Sequence, residues 1–588
     1  MASVAAWFRR HVIALVFAVI VGGLCVAPHL LASRALGADY RGVPFMYLDD
    51  EDLYLGRMQE IRDGYRNVSS PSFYEYKSTH APLLPIGETV YEFFSSLFRI
   101  GLPQMLVVTK FVFPAALFFL VYLFARRLIQ DEEKELSYRD TFTAITGGLL
   151  VTLAYDLVSW RELLSWLQGN EIGLHLPVWT RPVNPITGGL LLFGWLLLVW
   201  EVLRGKKTWF VIPAGIVHGA MVGYFFSWGM AMSVLGVLIV METLQRKWIV
   251  VKSLLLSLVI GFLVSAPYWI GLIRATGGDE GRVLSLRNGM FLTHAPILNK
   301  TLLIALILFV AFTVYHFRSK RIRDIITRPW WIMCSALLLG GLWALNQQIL
   351  TGRTVWPYHF VQYTKPFVFI VLIVTMHHAL SQRMRMVWNV VLGALIGFSL
   401  VQGFIPATQY RSTLEDFRRR QADADVYGWL NTEMPKDCVV FVHEPKERLE
   451  RLIPAFTHCN VYMTSYVFFG VPEERLRHNL FVYLAFNDIR PEDAEEYLFA
   501  HHEIVRTFFY EDWKQLFAAE ADAWSDAKAV DLAKEYAEFA RHPFGAELLR
   551  YRLDVIASED PLAPALLSSI PFELVGELGG TWIYRLKK

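Results

Sequence analysis

Residues 104–125 read QMLVVTKFVFPAALFFLVYLFA, an almost uninterrupted apolar run with one charged residue, Lys110. A helix of about 20 such residues spans the ~30 Å hydrocarbon layer of a bilayer. Similar runs recur through the first two thirds of the chain, about eleven in all. They lie near 11–33, 104–125, 141–160, 184–203, 209–224, 226–244, 249–272, 301–317, 329–346, 366–381 and 387–405. The sequence therefore predicts a multi-span α-helical membrane protein.

The composition agrees with a membrane protein. The 588 residues are 54% hydrophobic and 19% charged, against about 45–50% and about 25% in soluble domains. The formal net charge of +2 gives no electrostatic reason to expect a nucleic-acid partner. The four cysteines form no CxxC pair and no zinc-like Cys/His cluster, although Cys438 and Cys459 can pair in an oxidising compartment.

Lysine and arginine are concentrated in alternate connections between the predicted spans. Arg126 and Arg127 follow the second run, Arg204 follows the fourth, and a basic stretch fills 318–328. Because cytoplasmic loops are enriched in these residues, the N-terminus is expected in the cytoplasm. The first run is longer than a signal-peptide core, so we interpret it as an uncleaved anchor. The protein is thus predicted to be integral to the plasma (inner) membrane.

Two long segments are expected on the extracytoplasmic side. The first is the loop 34–102, which we assign with the spans to a transmembrane domain, 1–405. The second is the tail, 406–588, whose apolar strand at 438–442 and further helix-like and strand-like stretches predict a soluble α/β domain.

Four adjacent acids, Asp49, Asp50, Glu51 and Asp52, open a predicted helix in the first loop. Helix capping and the helix dipole explain one or two acids at such a position. They explain four adjacent acids less well, because neighbouring carboxylates repel one another unless a cation or proton is shared. The cluster lies close to the outer end of a span, where one carboxylate can act as general base and another can hold a divalent ion. Capping and catalysis both stay open on these residues alone.

Lys77 and His80 follow in an aromatic, proline-punctuated stretch of the same loop. They are candidate phosphate or sugar contacts. The alternative is an ordinary packed loop that lies on the membrane.

An acidic cluster in a large first outer loop, about ten or more spans and an outward tail together resemble the GT-C superfamily of membrane glycosyltransferases, similar to the protein mannosyltransferase and aminoarabinose transferase types. The resemblance implies a polyprenyl-phosphate-linked sugar as donor and a first-loop acid as catalytic base or metal ligand. That role maps onto Asp50 first, then Asp52, with Asp49 and Glu51 also candidates. It also implies a divalent cation, Mg²⁺ or Mn²⁺, held by Asp50 and Asp52 if one is used, and otherwise no cofactor.

Two later outer loops each contribute one arginine, Arg181 and Arg353. Arginine suits phosphate because its planar fork binds two oxygens and stays charged; the alternative is interfacial snorkelling. Gln348 and His359 accompany Arg353 as candidate substrate contacts. Asp156 near the outer end of the third run is a further candidate, with Arg161 or Arg181 as its expected partner.

The sequence and the resemblance together predict sugar transfer at the outer face of the membrane, with inversion at the anomeric carbon. The acceptor is a glycan, a lipid or a protein, and the partners include membrane lipid but no nucleic acid. The alternatives are a lipid or glycan transporter or flippase, and a non-catalytic membrane scaffold.

Overall fold

The computed structural model describes residues 2–48, 50–66, 68–79, 84–130, 137–156, 158–205, 208–317, 326–380, 384–443, 449–464, 471–509 and 526–587. These residues form two compact units. The first unit comprises Met1–Gly37, Gln104–Pro267 and Leu292–Leu414. The second comprises Ala38–Pro103, Tyr268–Phe291 and Glu415–Lys588.

The helices, in chain order, are α1 (Ala2–Leu36), α2 (Glu51–Arg62), α3 (Ile86–Phe98), α4 (Leu102–Ile129), α5 (Tyr138–Thr152), α6 (Trp160–Leu167), α7 (Ile186–Leu203), α8 (Val211–Ala220), α9 (Phe225–Leu244), α10 (Trp248–Thr276), α11 (Gly278–Arg287), α12 (Lys300–Phe317), α13 (Pro329–Asn346), α14 (Gln348–Thr351), α15 (Val361–Leu380), α16 (Arg385–Gln409), α17 (Leu414–Arg420), α18 (Ala424–Glu433), α19 (Leu449–Phe456), α20 (Glu473–Phe486), α21 (Ala494–Ala500), α22 (His502–Phe509), α23 (Asp526–Phe539), α24 (Phe544–Leu548) and α25 (Pro564–Ser569). The strands are β1 (Met290–Leu292), β2 (Arg353–Val355), β3 (Val439–His443), β4 (Asn460–Val461), β5 (Val555–Ser558), β6 (Phe572–Leu578) and β7 (Thr581–Leu586).

The predicted multi-span helical fold is confirmed, and every predicted run contains a helix. Among the described residues, eight helices are long and apolar enough to cross a membrane, and Val211–Gly223 and Lys300–Tyr315 are shorter apolar helices. The third predicted run, 141–160, is shorter than expected because α5 ends at Thr152. The chain turns there, and the polar Asp156 accepts a hydrogen bond from the amide of Val178.

The helices of the first unit pack closely through small residues. Gly340 on α13 faces α9, where a Cβ added to Gly340 would lie 2.9 Å from the backbone nitrogen of Val234. Small residues allow such backbone approaches between membrane helices. At the start of α5, Ser137 and Asp140 form a capping box that satisfies two backbone amides.

The second unit contains a five-stranded mixed sheet in the order β4-β3-β5-β7-β6. β3 runs parallel to β4 and β5, and β7 runs antiparallel to β5 and β6. Val440 is aligned with Val461 on one side and with Val555 on the other. Phe441 and Tyr462 belong to the core that packs on this sheet. The α/β fold predicted for the tail, including its strand at 438–442, is present.

The predicted domain boundary differs from the compact units. The first loop was assigned with the spans to 1–405, whereas Ala38–Pro103 groups with Glu415–Lys588. The reason is long-range pairing that the local sequence does not encode. α2 packs on α19, and the amide of Val461 in β4 donates to the carbonyl of Ser72 at 2.8 Å. The first loop therefore forms part of the second unit.

Candidate active site

Asp50 is the residue that immediately precedes α2. Its backbone is in the left-handed region, with φ 66° and ψ 8°, and within the described chain its side chain makes no N-cap hydrogen bond. Aspartate tolerates this conformation better than most residues, but it is still uncommon outside glycine. The side chain is half-buried. Capping therefore does not account for Asp50.

The side chain of Glu51 is hydrogen-bonded to the loop that precedes α2. Its side chain is 1% exposed, and Oε2 accepts hydrogen bonds from the amides of Tyr47 at 2.8 Å and Leu48 at 3.2 Å. A buried carboxylate that is satisfied by backbone amides has a structural explanation. The geometry thus assigns Glu51 to shaping the loop around Asp50.

Asp52 is paired with an arginine from the tail. Nη2 of Arg451 on α19 donates to Oδ1 of Asp52 at 2.7 Å, and Nε of Arg451 lies 2.7 Å from Oδ2. Oδ1 also accepts from the amide of Leu53 at 2.8 Å. Asp52 is 5% exposed. Of the three described acids, Asp50 is consequently the most accessible.

Lys77 belongs to a buried ionic cluster. Its Nζ lies 2.9 Å from Oε1 of Glu60 and 2.6 Å from Oδ1 of Asp437. The hydroxyl of Tyr65 donates to Oδ2 of Asp437 at 2.9 Å. Lys77 is 3% exposed, which fits an internal ion pair better than the predicted contact with a phosphate or sugar.

The pKa values of the two acids in this cluster shift in opposite directions. Burial raises the pKa of Glu60 to about 7, although the charge and hydrogen bond of Lys77 oppose the shift. Burial also opposes ionisation of Asp437, but the hydrogen bond and charge of Lys77 and the bond from Tyr65 lower the pKa of Asp437 overall. Lys77 therefore pairs most strongly with Asp437.

Two predicted site residues, Asp49 and His80, lie outside the described residues.

In the first unit, Arg353 lies in β2 and is exposed. Its carbonyl accepts hydrogen bonds from Gln347 at 2.8 Å and Thr351 at 3.0 Å, which fix the backbone of this loop. Its guanidinium has no hydrogen-bond or ion-pair partner in the part of the chain that the structure describes. Arg181 follows the 3-10 turn Val178–Thr180 and is half-buried. Of the two, Arg353 presents its charge to solvent.

The surroundings of Asp156 differ from the expectation. Its Oδ2 accepts from the amide of Val178 at 2.8 Å, and the side chains of Lys365 and His175 are the basic groups that act on its charge. The ammonium of Lys365 also donates to the carbonyl of Tyr155 at 3.3 Å. The expected partner Arg161 instead has its guanidinium 5.4 Å from the ring of Trp160. Lys365 is thus a polar contact that sequence reasoning missed.

Gln348 and His359 have different surroundings. Gln348 is 0% exposed, and its Nε2 donates to the carbonyl of Ala295 at 3.1 Å, so it connects two loops. His359 is half-buried, with Nδ1 3.2 Å from the hydroxyl of Tyr224. That hydroxyl donates to Oε1 of Gln362 at 2.7 Å. His359 accordingly retains the accessibility that a substrate contact requires, whereas Gln348 does not.

The described carboxylates fit a divalent cation poorly. Asp52 faces a guanidinium and Glu51 faces backbone amides. Of the described His, Cys, Asp and Glu side chains, those that come together as a possible metal group are Cys438, His458 and Cys459. Both of these cysteines are used in a disulfide. The predicted use of Asp50 and Asp52 as a metal pair is not supported by this geometry.

Neither a protein-family model nor a curated protein sequence matches the chain. Solved structures are similar to it at low identity. One is ArnT from Cupriavidus metallidurans bound to undecaprenyl phosphate, at 11% identity and a TM-score of 0.48, with 98% of each chain covered. Another is the archaeal oligosaccharyltransferase AglB from Archaeoglobus fulgidus in complex with an inhibitory peptide and a dolichol-phosphate. It is 14% identical, with a TM-score of 0.43 and 94% of this chain and 70% of AglB covered.

Proposed function

We propose that this integral membrane protein is an inverting glycosyltransferase that uses a polyprenyl-phosphate-linked sugar as donor and Asp50 as general base. The observation that carries the proposal is the contrast among the acids that open α2. Glu51 and Asp52 are buried, with Oε2 of Glu51 bonded to two backbone amides and Asp52 paired with Arg451, whereas Asp50 is half-exposed, makes no N-cap bond and adopts a left-handed backbone. Uncommon backbone conformations that persist in a well-packed setting are often found at functional sites.

The proposed reaction is a single displacement. The carboxylate of Asp50 takes the proton from the acceptor hydroxyl as the hydroxyl oxygen forms a bond to the anomeric carbon. The bond between that carbon and the phosphate oxygen breaks, and its electron pair leaves with the polyprenyl phosphate. Arg353 and Arg181 remain the proposed contacts of phosphate, because guanidinium groups bind phosphate oxygens in pairs.

The donor class follows from the resemblance of the first loop. We place the reaction at the outer face of the plasma (inner) membrane, with the N-terminus in the cytoplasm and both long segments outside. This location rests on the distribution of lysine and arginine among the connections. The acceptor is a glycan, lipid or protein hydroxyl.

The test uses full-length protein purified in detergent with a panel of undecaprenyl- and dolichyl-phosphate sugars and candidate acceptors. Release of the carrier phosphate is followed for the wild type, Asp50→Asn and Asp39→Asn. Asp39 is a matched control because it lies in the same loop and makes an exposed ion pair with Arg418. The proposal expects release by the wild type and Asp39→Asn and its loss in Asp50→Asn. Equal release by all three proteins would exclude Asp50 as the base. In proteoliposomes made from the same protein, movement of intact lipid-linked sugar between leaflets without release would favour a flippase.

A further inference from the structure

The first turn of α2 is tied to α19 through Arg451. The guanidinium approaches Asp52 side-on, with Nη2 2.7 Å from Oδ1 and Nε 2.7 Å from Oδ2. The side chains of Asp52 and Arg451 are 6% and 18% exposed. The first contact is a charge-assisted hydrogen bond and the second a close ionic contact, and together they restrain the position of the Asp52 carboxylate. Arg451 therefore holds the helical turn that begins directly after Asp50.

α19 is itself attached to the sheet. Three residues after α19 ends, Cys459 forms a disulfide with Cys438, which directly precedes β3. On its other side α19 packs closely on α2, because a Cβ added to Gly56 would lie 3.6 Å from the carbonyl oxygen of Pro454. Arg451 is thus carried by a short helix fixed at its end and along its side.

The segment that leads into Asp50 is held by the start of the tail. Nη1 of Arg420 donates to the carbonyl of Met46 at 2.9 Å. Gln421 uses both ends of its amide, donating to the carbonyl of Val43 at 3.0 Å and accepting from the amide of Arg41 at 3.0 Å. The backbone is consequently anchored before Asp50 by α17 and the residue after it, and behind Asp50 by α19.

We infer that Arg451 is a positioning residue for Asp50: it acts through Asp52 to hold the base in the orientation that accepts the proton, and it neutralises the buried carboxylate of Asp52. The inference rests on the proposed function. It gives the tail a specific part in the reaction, since the residue that orients the first-loop base comes from 399 positions away. Small displacements of a catalytic group cost about 100-fold in rate.

The test measures kcat and the KM of the lipid donor for Arg451→Met, Asp50→Asn and the double variant. Arg451→Met is expected to lower kcat about 100-fold and to leave KM within about twofold, because the donor contacts are unchanged. Added to Asp50→Asn, it should cause no further loss, because residues that act as a unit are not additive. Arg541→Ala is the matched control, since Arg541 makes an exposed ion pair with Glu538.

A second variant guards against misfolding. Arg451→Met alone leaves Asp52 buried without its partner, whereas Asp52→Leu with Arg451→Met removes both charges and is expected to fold. This pair variant should also have a kcat lowered about 100-fold. Wild-type kcat in the pair variant, with Asp50→Asn inactive, would overturn the inference and leave the proposed function standing. Additive losses, or a rise in KM without loss of kcat, would also overturn it. Full activity of Asp50→Asn would instead overturn the proposed function.

Discussion

Lys77 and Asp437 form a buried ion pair across 360 positions of sequence, with Nζ 2.6 Å from Oδ1. The pair joins the first long loop, which follows α1, to the turn just before β3 within one compact unit. Glu60 is the second acid against the same ammonium, at 2.9 Å. Because one buried cation pairs with both carboxylates, one buried and one half-buried, its removal has a large expected effect.

Lys77→Met should lower the free energy of unfolding by roughly 3–5 kcal/mol, because the buried carboxylate of Glu60 and the half-buried carboxylate of Asp437 lose their cation. The measurement is thermal or denaturant unfolding of the detergent-solubilised protein. Lys436→Ala is the control, since Lys436 is exposed and contacts the carbonyl of Asp63. An Lys77→Met protein as stable as the control would show that the ion pair contributes little.

Glu60 should make the stability depend on pH in one direction. Its pKa is about 7 in the folded protein and 4.5 for the unperturbed group. Between these values the folded protein holds a proton that the unfolded chain has lost, so this contribution to stability falls as pH rises. Glu60→Gln should remove that part of the slope when unfolding of the two proteins is compared from pH 5 to 8. A slope identical to that of the wild type would contradict the assignment.

Asp50→Gly should separate stability from activity. Glycine adopts positive φ without steric cost, so the folded protein should be as stable as the wild type or more stable by up to about 1 kcal/mol. Loss of the carboxylate should reduce turnover by about 100- to 10,000-fold. Unfolding and carrier-phosphate release are measured on the same preparation. Lower stability together with lower turnover would indicate that Asp50 supports the fold.

Arg353→Ala should raise the KM for the lipid donor by about tenfold or more, because a charge-assisted hydrogen bond to phosphate is lost. Arg353→Lys keeps the charge without the planar fork and should lose less. Steady-state kinetics over a range of donor concentrations gives both values. An unchanged KM in Arg353→Ala would leave interfacial anchoring as the role of this residue.

The membrane fold was predictable because apolar runs and helical periodicity are local properties of the sequence. The strand at 438–442 was predictable for the same reason. The contact between Arg451 and Asp52 was not predictable, because the two residues are 399 positions apart in the sequence. Without that partner Asp52 looks equivalent to Asp50 as a base or metal ligand. The same limit explains why the first loop was assigned with the spans rather than with the tail.

Lys365 shows another limit. Its position within α15 gives it the pattern of a polar residue inside a span, but its contact with the carbonyl of Tyr155 depends on how the turn after α5 packs against α15. Arg161 and Arg181 are closer to Asp156 in sequence and were the natural expectation. The fold brings the ammonium of Lys365 to the carbonyl of Tyr155, the residue before Asp156.

The most direct test of the central claim is single-turnover glycosyl transfer by Asp50→Asn with the lipid donor bound at saturation. Donor binding is measured separately on the same protein. The account predicts normal donor binding and a transfer rate lower by about 100- to 10,000-fold. A rate within about threefold of the wild type, with the protein folded and the donor bound, would contradict it.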